Sequence, residues 1–112
     1  MSKFEEAMET YKADNKKLGL GLDEAFLEKV AKGLGPSIYN NDSSKVSGSD
    51  KSELDTVKNN YLIKKLGLHD GPYLDAAIGM CMEKMGTSNS SKWRALVYGW
   101  LCVHFAKESI YN

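Results

Sequence analysis

Apolar residues recur every three or four positions in five successive segments of the chain, and a glycine follows four of those segments. This spacing gives each segment one apolar stripe, and glycine readily takes the left-handed conformation that ends a helix. The pattern predicts an all-α fold. We expect residues 1–112 to form a single compact domain of about five helices, with helical hairpins packed around a central C-terminal helix.

Each predicted helix begins near a residue that can satisfy the unpaired backbone N–H groups of a first turn. In chain order, the expected caps are Ser2, Asp23, Ser49 or Asp50, Asp70 or Gly71, and Ser90 or Ser91. The third helix should bury the side that carries Leu54, Val57, Tyr61, Leu62 and Leu66. Residues 93–105 are apolar on most sides, which is typical of a buried central helix, and we expect Ile110 and Tyr111 to fold back onto it.

The pentapeptide KKLGL occurs twice, at residues 16–20 and 64–68, each time at the end of a predicted helix. Its glycine is placed for a Schellman cap, and its two lysines lie where cations favour the negative end of the helix dipole. We interpret both copies as one kind of helix stop used in two hairpins, with a true internal duplication as the alternative. A duplicated ligand site is not needed to explain the repeat.

Positive and negative charges balance, with 15 Lys and Arg against 15 Asp and Glu, and Arg94 is the only arginine. Such a chain lacks the basic surface typical of sequence-reading nucleic-acid proteins, so we do not expect nucleic acid as a partner. No apolar run approaches the roughly 20 residues of a membrane helix, and the first residues do not form a signal peptide. Cys81 and Cys102 follow apolar helical spacing, which indicates reduced core thiols and a cytoplasmic protein.

Two groups of residues contain side chains that can bind metal ions. Four positions of a calcium-binding loop are filled by Asp42, Ser44, Asp50 and Glu53. The positions that need an oxygen ligand and a glycine hold valine and serine instead, so we expect Asp50 and Glu53 to cap a helix. The second group, Cys81, Cys102, His69 and His104, has no metal-ligand spacing. We therefore expect no catalytic residue, no cofactor and no metal.

Residues 36–50 are rich in Ser, Asn, Asp and Gly but also contain Ile38, Tyr39 and Val46. We interpret the stretch as an ordered irregular loop, with a short helical turn near residues 37–41, held in place by those three side chains. A candidate functional surface combines polar and aromatic residues of this loop with others near the fourth and fifth helices. Its members are Tyr39, Asn40, Asp42, His69, Tyr73 and His104.

Two long segments carry a family resemblance: LGPSIYN at residues 34–40 and VSGSDKSELDTVKNNYLIKKLGL at residues 46–68. Together they resemble a small family of bacterial cytosolic proteins catalogued as a domain of unknown function. The resemblance extends over nearly the whole chain, from KFEEAMETY through KWRALVY to AKESIY. It implies a compact bacterial domain of about this length, and it supplies no activity, cofactor or site residue.

Three functions stay open at this point. The lack of a catalytic constellation and the apolar surplus on the fifth helix favour a small non-enzymatic interaction or accessory domain, which binds another protein or forms a homodimer. The segment VKNNYLIKK, residues 57–65, places Lys and Asn beside an aromatic residue, so a nucleic-acid-binding helical module is one alternative. The other is a small-ligand or enzymatic site near the 36–50 loop, in a groove lined by Tyr39, His69, Tyr73 and His104.

Overall fold

Helices dominate residues 2–40, 43–89 and 91–111, which the computed structural model describes. The regular elements in chain order are α1 Lys3–Leu18, α2 Glu24–Leu34, a 3₁₀ turn Gly35–Tyr39, α3 Lys51–Thr56, the π segment Val57–Lys65, α4 Pro72–Met85, α5 Arg94–His104 and a 3₁₀ turn Glu108–Tyr111. The π segment continues α3 directly. Within these residues the only β-type pairing is an isolated bridge between Lys45 and Trp93. The predicted all-α fold of five helices is confirmed.

Three of the predicted N-caps are confirmed by side-chain hydrogen bonds. The Ser2 hydroxyl accepts from the Glu5 N–H at 3.1 Å, and the Asp23 carboxylate accepts from the Phe26 N–H at 3.0 Å. The Asp50 carboxylate accepts from two backbone N–H groups in the first turn of α3. Each cap satisfies donors that a helix leaves unpaired at its start, which is why short polar residues are found there.

The predicted start is correct for α4 and wrong for α5. α4 begins at Pro72 after Gly71, which is one of its two predicted caps. α5 begins at Arg94 with Trp93 at its N-cap position, so the predicted cap at Ser91 is wrong, and the alternative cap Ser90 lies outside the described residues. The physical reason is that Trp93 has extended backbone angles and belongs to the β-bridge, so the residues before Arg94 bond to the loop instead of joining the helix.

The two copies of KKLGL both end a helix, as predicted, but they close it with different hydrogen bonds. In the first copy, the N–H groups of Gly19 and Leu20 bond to carbonyls three and five residues earlier, at 3.2 and 3.1 Å, which is a Schellman cap. In the second copy, Gly67 also has a positive φ of 73°, but the Leu68 N–H reaches back six residues, at 3.0 Å. The wider closure follows from the π winding of the helix that it ends.

The π winding explains an apolar spacing that an α-helix could not bury on one side. Val57, Tyr61, Leu62 and Leu66 are all buried. In an α-helix, Val57 and Leu66 would point about 180° apart, because each residue turns the chain by about 100°. The i→i+5 bonds of a π-helix put more residues in each turn, so positions four and five apart share one side. The buried side was predicted correctly, and the π winding was not predicted.

α5 lies at the centre of the fold and packs against α1, α2 and α4. The segment before α2 approaches α5 closely at Gly99, where an added Cβ would lie 3.2 Å from the Leu22 side chain. Cys81 and Cys102 are buried free thiols, as predicted, and burial raises the pKa of Cys81 to about 12.

The Cα radius of gyration is 13.0 Å, close to the about 13 Å typical of one domain of this size. No helix in the described ranges is both long and apolar enough to cross a bilayer.

Three tyrosines join the C-terminal 3₁₀ turn to the core. The Tyr61 hydroxyl donates to the Tyr98 carbonyl at 2.9 Å, which leaves Tyr111 to donate to the Tyr61 hydroxyl at 2.9 Å. The rings of Tyr61 and Tyr98 are stacked, with centroids 3.8 Å apart. Tyr111 also contacts the Phe26 ring edge-on, so the tail folds back onto the core beside α2, the π segment and Tyr98 of α5. Ile110 in the same turn is 38% exposed.

Alkaline pH is expected to unfold the chain between about pH 10 and pH 12. Burial is the main cause that raises the pKa of Tyr11 to about 12 and of Tyr111 to about 12 from an ordinary 10.0, and it raises the pKa of Tyr61 further. The stability that these neutral phenols provide is complete below the unfolded pKa and is lost as the pH rises toward the folded pKa. Tyrosinate absorbance and far-UV circular dichroism should change together. Full ionisation of all tyrosines near pH 10 with an unchanged dichroism spectrum would contradict this.

Candidate functional site

The β-bridge holds the loop after the first 3₁₀ turn against the start of α5. The Val46 N–H donates to the Lys92 carbonyl at 2.7 Å, and the Arg94 N–H donates to the Ser44 carbonyl at 2.8 Å. Trp93 lies between these two bonds. Its indole N–H donates to the carboxylate of Asp14 in α1 at 2.7 Å. These contacts fix the positions of the loop, α5 and α1 relative to one another.

Arg94 is only 8% exposed and makes four hydrogen-bonded contacts from one guanidinium group. Its Nε donates to the Ser43 carbonyl at 2.6 Å, and its Nη1 donates to the Tyr98 hydroxyl at 3.0 Å. Its Nη2 donates to the Lys45 carbonyl at 3.2 Å and to the Glu53 carboxylate. A planar group with five N–H donors can serve several acceptors at once. Arg94 thereby joins the loop, α3 and α5 and neutralises Glu53; we call this arrangement the Arg94 clamp.

A cleft of about 730 Å³ opens beside the Arg94 clamp, between residues 45–50 on one side and residues 87–89 with Lys92 on the other. Hydroxyl groups line much of it, contributed by Ser47, Ser49, Thr87 and Ser88. Lys45 and Lys92 add two ammonium groups, and Met82 adds apolar surface. Lys92 is 6% exposed, and its Nζ donates to the Asn89 carbonyl at 2.5 Å. This polar cleft can accommodate a small molecule, since ligand sites usually measure about 300–1,000 Å³.

His69, Tyr73 and His104 of the predicted surface lie together near the C-terminal end of α5. The Tyr73 hydroxyl donates to the His69 carbonyl at 2.5 Å, and the Tyr73 ring contacts Phe105 edge-on at a centroid distance of 5.9 Å. Phe105 contacts His104 at 4.9 Å, and His104 stacks on Trp100 at 5.0 Å. The structure therefore arranges aromatic rings from α4 and α5 in one continuous row.

The remaining predicted surface residues belong to the loop. The short helical turn is present as the 3₁₀ turn Gly35–Tyr39, and Ile38 and Val46 are buried as predicted. Tyr39 is 45% exposed, so the prediction that it holds the loop in place is wrong. Asn40 is exposed, and Asp42 lies outside the described residues.

Tyr39 lies at the opposite end of α5 from His104. Its hydroxyl helps to raise the pKa of Tyr11, although burial contributes more. The Tyr11 ring in turn packs against Trp93, immediately before α5, with centroids 5.8 Å apart. At 1.5 Å per residue, α5 separates Trp93 from His104 by about 16 Å. The predicted groove is therefore divided: its two histidines and Tyr73 lie together, and Tyr39 lies apart from them.

The outer side of α4 is exposed and carries few charges along its middle. Tyr73 and Met80 are 46% and 50% exposed, and Ala76 and Gly79 are exposed between them. A Cβ added at Gly79 would meet no atom within 4 Å. We call Tyr73, Ala76, Gly79 and Met80 the α4 face. Met82 and Met85, on the other side of α4, are buried.

The residues of the calcium-loop frame have structural roles where the structure describes them. Asp50 caps α3 as predicted, whereas Glu53 pairs with Arg94 instead of closing a capping box. Ser44 is buried at the β-bridge. In residues 2–40, 43–89 and 91–111, no three His, Cys, Asp or Glu side chains lie in a group that could hold a metal ion.

The segment proposed for nucleic-acid binding is the π segment. Tyr61 is buried in it, and Lys58 pairs with Asp75 of α4 at 3.4 Å. The Lys65 ammonium lies 5.2 Å from the centre of the Tyr111 ring. These contacts engage three of the residues that suggested the idea, and nucleic-acid binding by this segment stays a prediction.

The Arg94 clamp was not predicted from the sequence, in which Arg94 entered only the count of charges. A signal existed, because a lone arginine at the start of an apolar helix needs acceptors if it is buried. Lys92 gave no comparable signal. Its burial depends on the fold of a distant loop, where an added Cβ at Gly48 would lie 3.2 Å from the Lys92 side chain.

Comparison with known proteins gives one family. The family model described as "Protein of unknown function (DUF2853)" matches residues 5–109, which is nearly the whole chain. No match is found among curated proteins. The resemblance to a family of unknown function, drawn from the sequence motifs, is confirmed.

Proposed function

We propose that this chain, which belongs to the DUF2853 family, is a small non-enzymatic interaction domain that pairs with a second copy of itself through the α4 face. The observation that supports the proposal is the exposure of Tyr73 and Met80 on either side of two small residues, Ala76 and Gly79. We further propose a bacterial, cytoplasmic setting, which rests on the resemblance of the sequence motifs to bacterial cytosolic proteins.

The chemistry of the α4 face favours an identical helix as its partner. Ala76 and Gly79 leave space for another helix to approach, and Tyr73 and Met80 would then lose exposed apolar area to the contact. A two-fold axis perpendicular to α4 would relate two copies of this helix antiparallel. That arrangement opposes the two helix dipoles favourably, whereas a two-fold axis along the helices would align them.

The non-enzymatic part of the proposal rests on the state of the reactive groups. The carboxylate of Glu53 is already paired with the Arg94 guanidinium. The Cys81 thiol is buried, and its pKa of about 12 keeps it protonated near neutral pH, so it does not supply a thiolate nucleophile.

Replacing Ala76 with Lys should prevent pairing and leave the fold intact. We expect the unmodified chain to show a monomer–dimer equilibrium at micromolar concentrations, and Ala76→Lys to weaken it at least about tenfold, because two like charges would face each other across the contact. Sedimentation equilibrium at several protein concentrations measures the monomer–dimer association constant of the unmodified chain and of Ala76→Lys.

Ala13→Lys is the matched control, because Ala13 is also an exposed alanine within a helix, on α1. It should leave the association constant unchanged. A chain that is monomeric at every concentration, or equal weakening by both variants, would reject pairing through the α4 face.

A further inference from the structure

We propose that the cleft between residues 45–50 and residues 87–89 with Lys92 binds a small organic phosphate. This site is separate from the α4 face, and its occupancy does not depend on pairing. The proposal rests on three features of the cleft: a surplus of hydrogen-bond donors, acceptors that are already engaged, and a frame that is built before any ligand arrives.

The donor surplus comes from both sides of the cleft. In the described part of the chain, the hydroxyls of Ser47, Ser49, Thr87 and Ser88 make no side-chain hydrogen bond to protein. Lys92 uses one N–H of its ammonium on the Asn89 carbonyl, and two more remain for another acceptor. Lys45 lies with its ammonium 5.1 Å from the centre of the Trp93 ring, a contact that leaves its N–H donors for a ligand.

Each acceptor side chain of the same cleft already holds at least one donor of the protein. The Asp50 carboxylate accepts from two backbone N–H groups of α3, and the Glu53 carboxylate is neutralised by Arg94. The Asn89 side chain bonds through both of its ends, to the Met85 carbonyl and to a backbone N–H. A ligand rich in acceptors and negative in charge fits such a lining, because lysine ammonium groups and hydroxyls donate to phosphate oxygens. The volume of about 730 Å³ leaves space for an organic group beyond the phosphate.

The frame of the cleft is held by contacts that do not involve a ligand. The β-bridge fixes Val46 against the Lys92 carbonyl, and the Arg94 clamp holds the loop through the carbonyls of Ser43 and Lys45. Gly48 lies against the Lys92 stem and the Met82 sulfur, where an added Cβ would be within 3.2 and 3.4 Å. A preformed site spends less free energy on ordering its side chains when it binds.

The test is a titration of ¹⁵N-labelled protein, followed by amide chemical shifts, with three probes used separately: glucose 6-phosphate, inorganic phosphate and glucose. With the two phosphates we expect saturable shifts confined to residues 45–50, residues 87–89 and Lys92. The affinity should be higher for glucose 6-phosphate than for inorganic phosphate. Lys92→Met should weaken glucose 6-phosphate at least about tenfold, because one charge-assisted contact is lost.

Lys45→Met and Ser88→Ala provide independent variants in case the buried Lys92 position does not tolerate replacement, and amide dispersion reports whether each variant is folded. Lys64→Met, at an exposed lysine of the π segment, is the matched control and should bind like the unmodified chain. The proposal is overturned if neither phosphate gives saturable shifts, if glucose binds as tightly as its phosphate, or if the folded cleft variants all keep full affinity. The titration repeated on Ala76→Lys separates this result from any failure of pairing.

Discussion

Arg94→Met is expected to destabilise the folded chain by about 3 kcal/mol, which corresponds to a fall in melting temperature of roughly 10–20 °C. The substitution keeps the length of the apolar stem but removes every guanidinium donor. The Glu53 side chain, 23% exposed, then keeps a charge without its partner, and the carbonyls of Ser43 and Lys45 lose a donor. The partial exposure of Glu53 keeps the effect at the lower end of the range for buried ion pairs.

Urea unfolding at neutral pH measures this loss, and a double-mutant cycle separates its parts. Arg94→Met combined with Glu53→Gln should cost less than the sum of the two single changes, because the charge left by the first is removed by the second. Lys64→Met removes a charge from an exposed position and should change the free energy of unfolding by less than about 0.5 kcal/mol. A loss below about 1 kcal/mol for Arg94→Met would mean that the Arg94 clamp is not formed in solution.

Tyr61→Ala is expected to cost about 4 kcal/mol, the largest effect of any single change considered for this chain. Tyr61 is 2% exposed, stacks on Tyr98 and bonds through its hydroxyl to both Tyr98 and Tyr111. Removing the ring leaves a cavity where the π segment meets α5 and also frees the C-terminal turn. Thermal and urea unfolding followed by circular dichroism measure the change.

Tyr61→Phe separates the hydroxyl from the ring. It should cost about 1 kcal/mol, since the ring still packs but the Tyr98 carbonyl and the Tyr111 hydroxyl lose a partner. Tyr39→Ala removes a tyrosine that is 45% exposed and should cost less than about 1 kcal/mol. Similar losses for Tyr39→Ala and Tyr61→Ala would show that the π segment does not pack its tyrosine as described.

Much of the fold could be predicted because its signals are local. The caps at Ser2, Asp23 and Asp50 act within three residues of themselves, and the glycine stops depend only on their own backbone conformation. The burial of the two cysteines followed from helical spacing alone. Family membership was also predicted from the sequence, and the family model that matches residues 5–109 confirms it.

The errors arose where distant segments decide the local structure. α5 starts late because Trp93 pairs with Lys45, a residue from another part of the chain. The Arg94 clamp, the burial of Lys92 and the cleft they frame depend on the same pairing, and no periodicity within one segment reports it. Tyr39 was expected to help hold the loop in place, yet how far a side chain is buried depends on which neighbours the fold supplies.

The π segment also sets a limit on chain length. Its winding places Val57 and Leu66 on the same buried side only with the present number of residues between them. One residue inserted or deleted between them would rotate the rest of the helix by about a quarter of a turn. Leu66 would leave the core, and the glycine stop after it would send the chain to α4 in a different direction. Exposed loops ordinarily absorb an extra residue without such a consequence. In this chain, insertions should therefore be tolerated least inside the π segment, although one side of that segment faces the solvent.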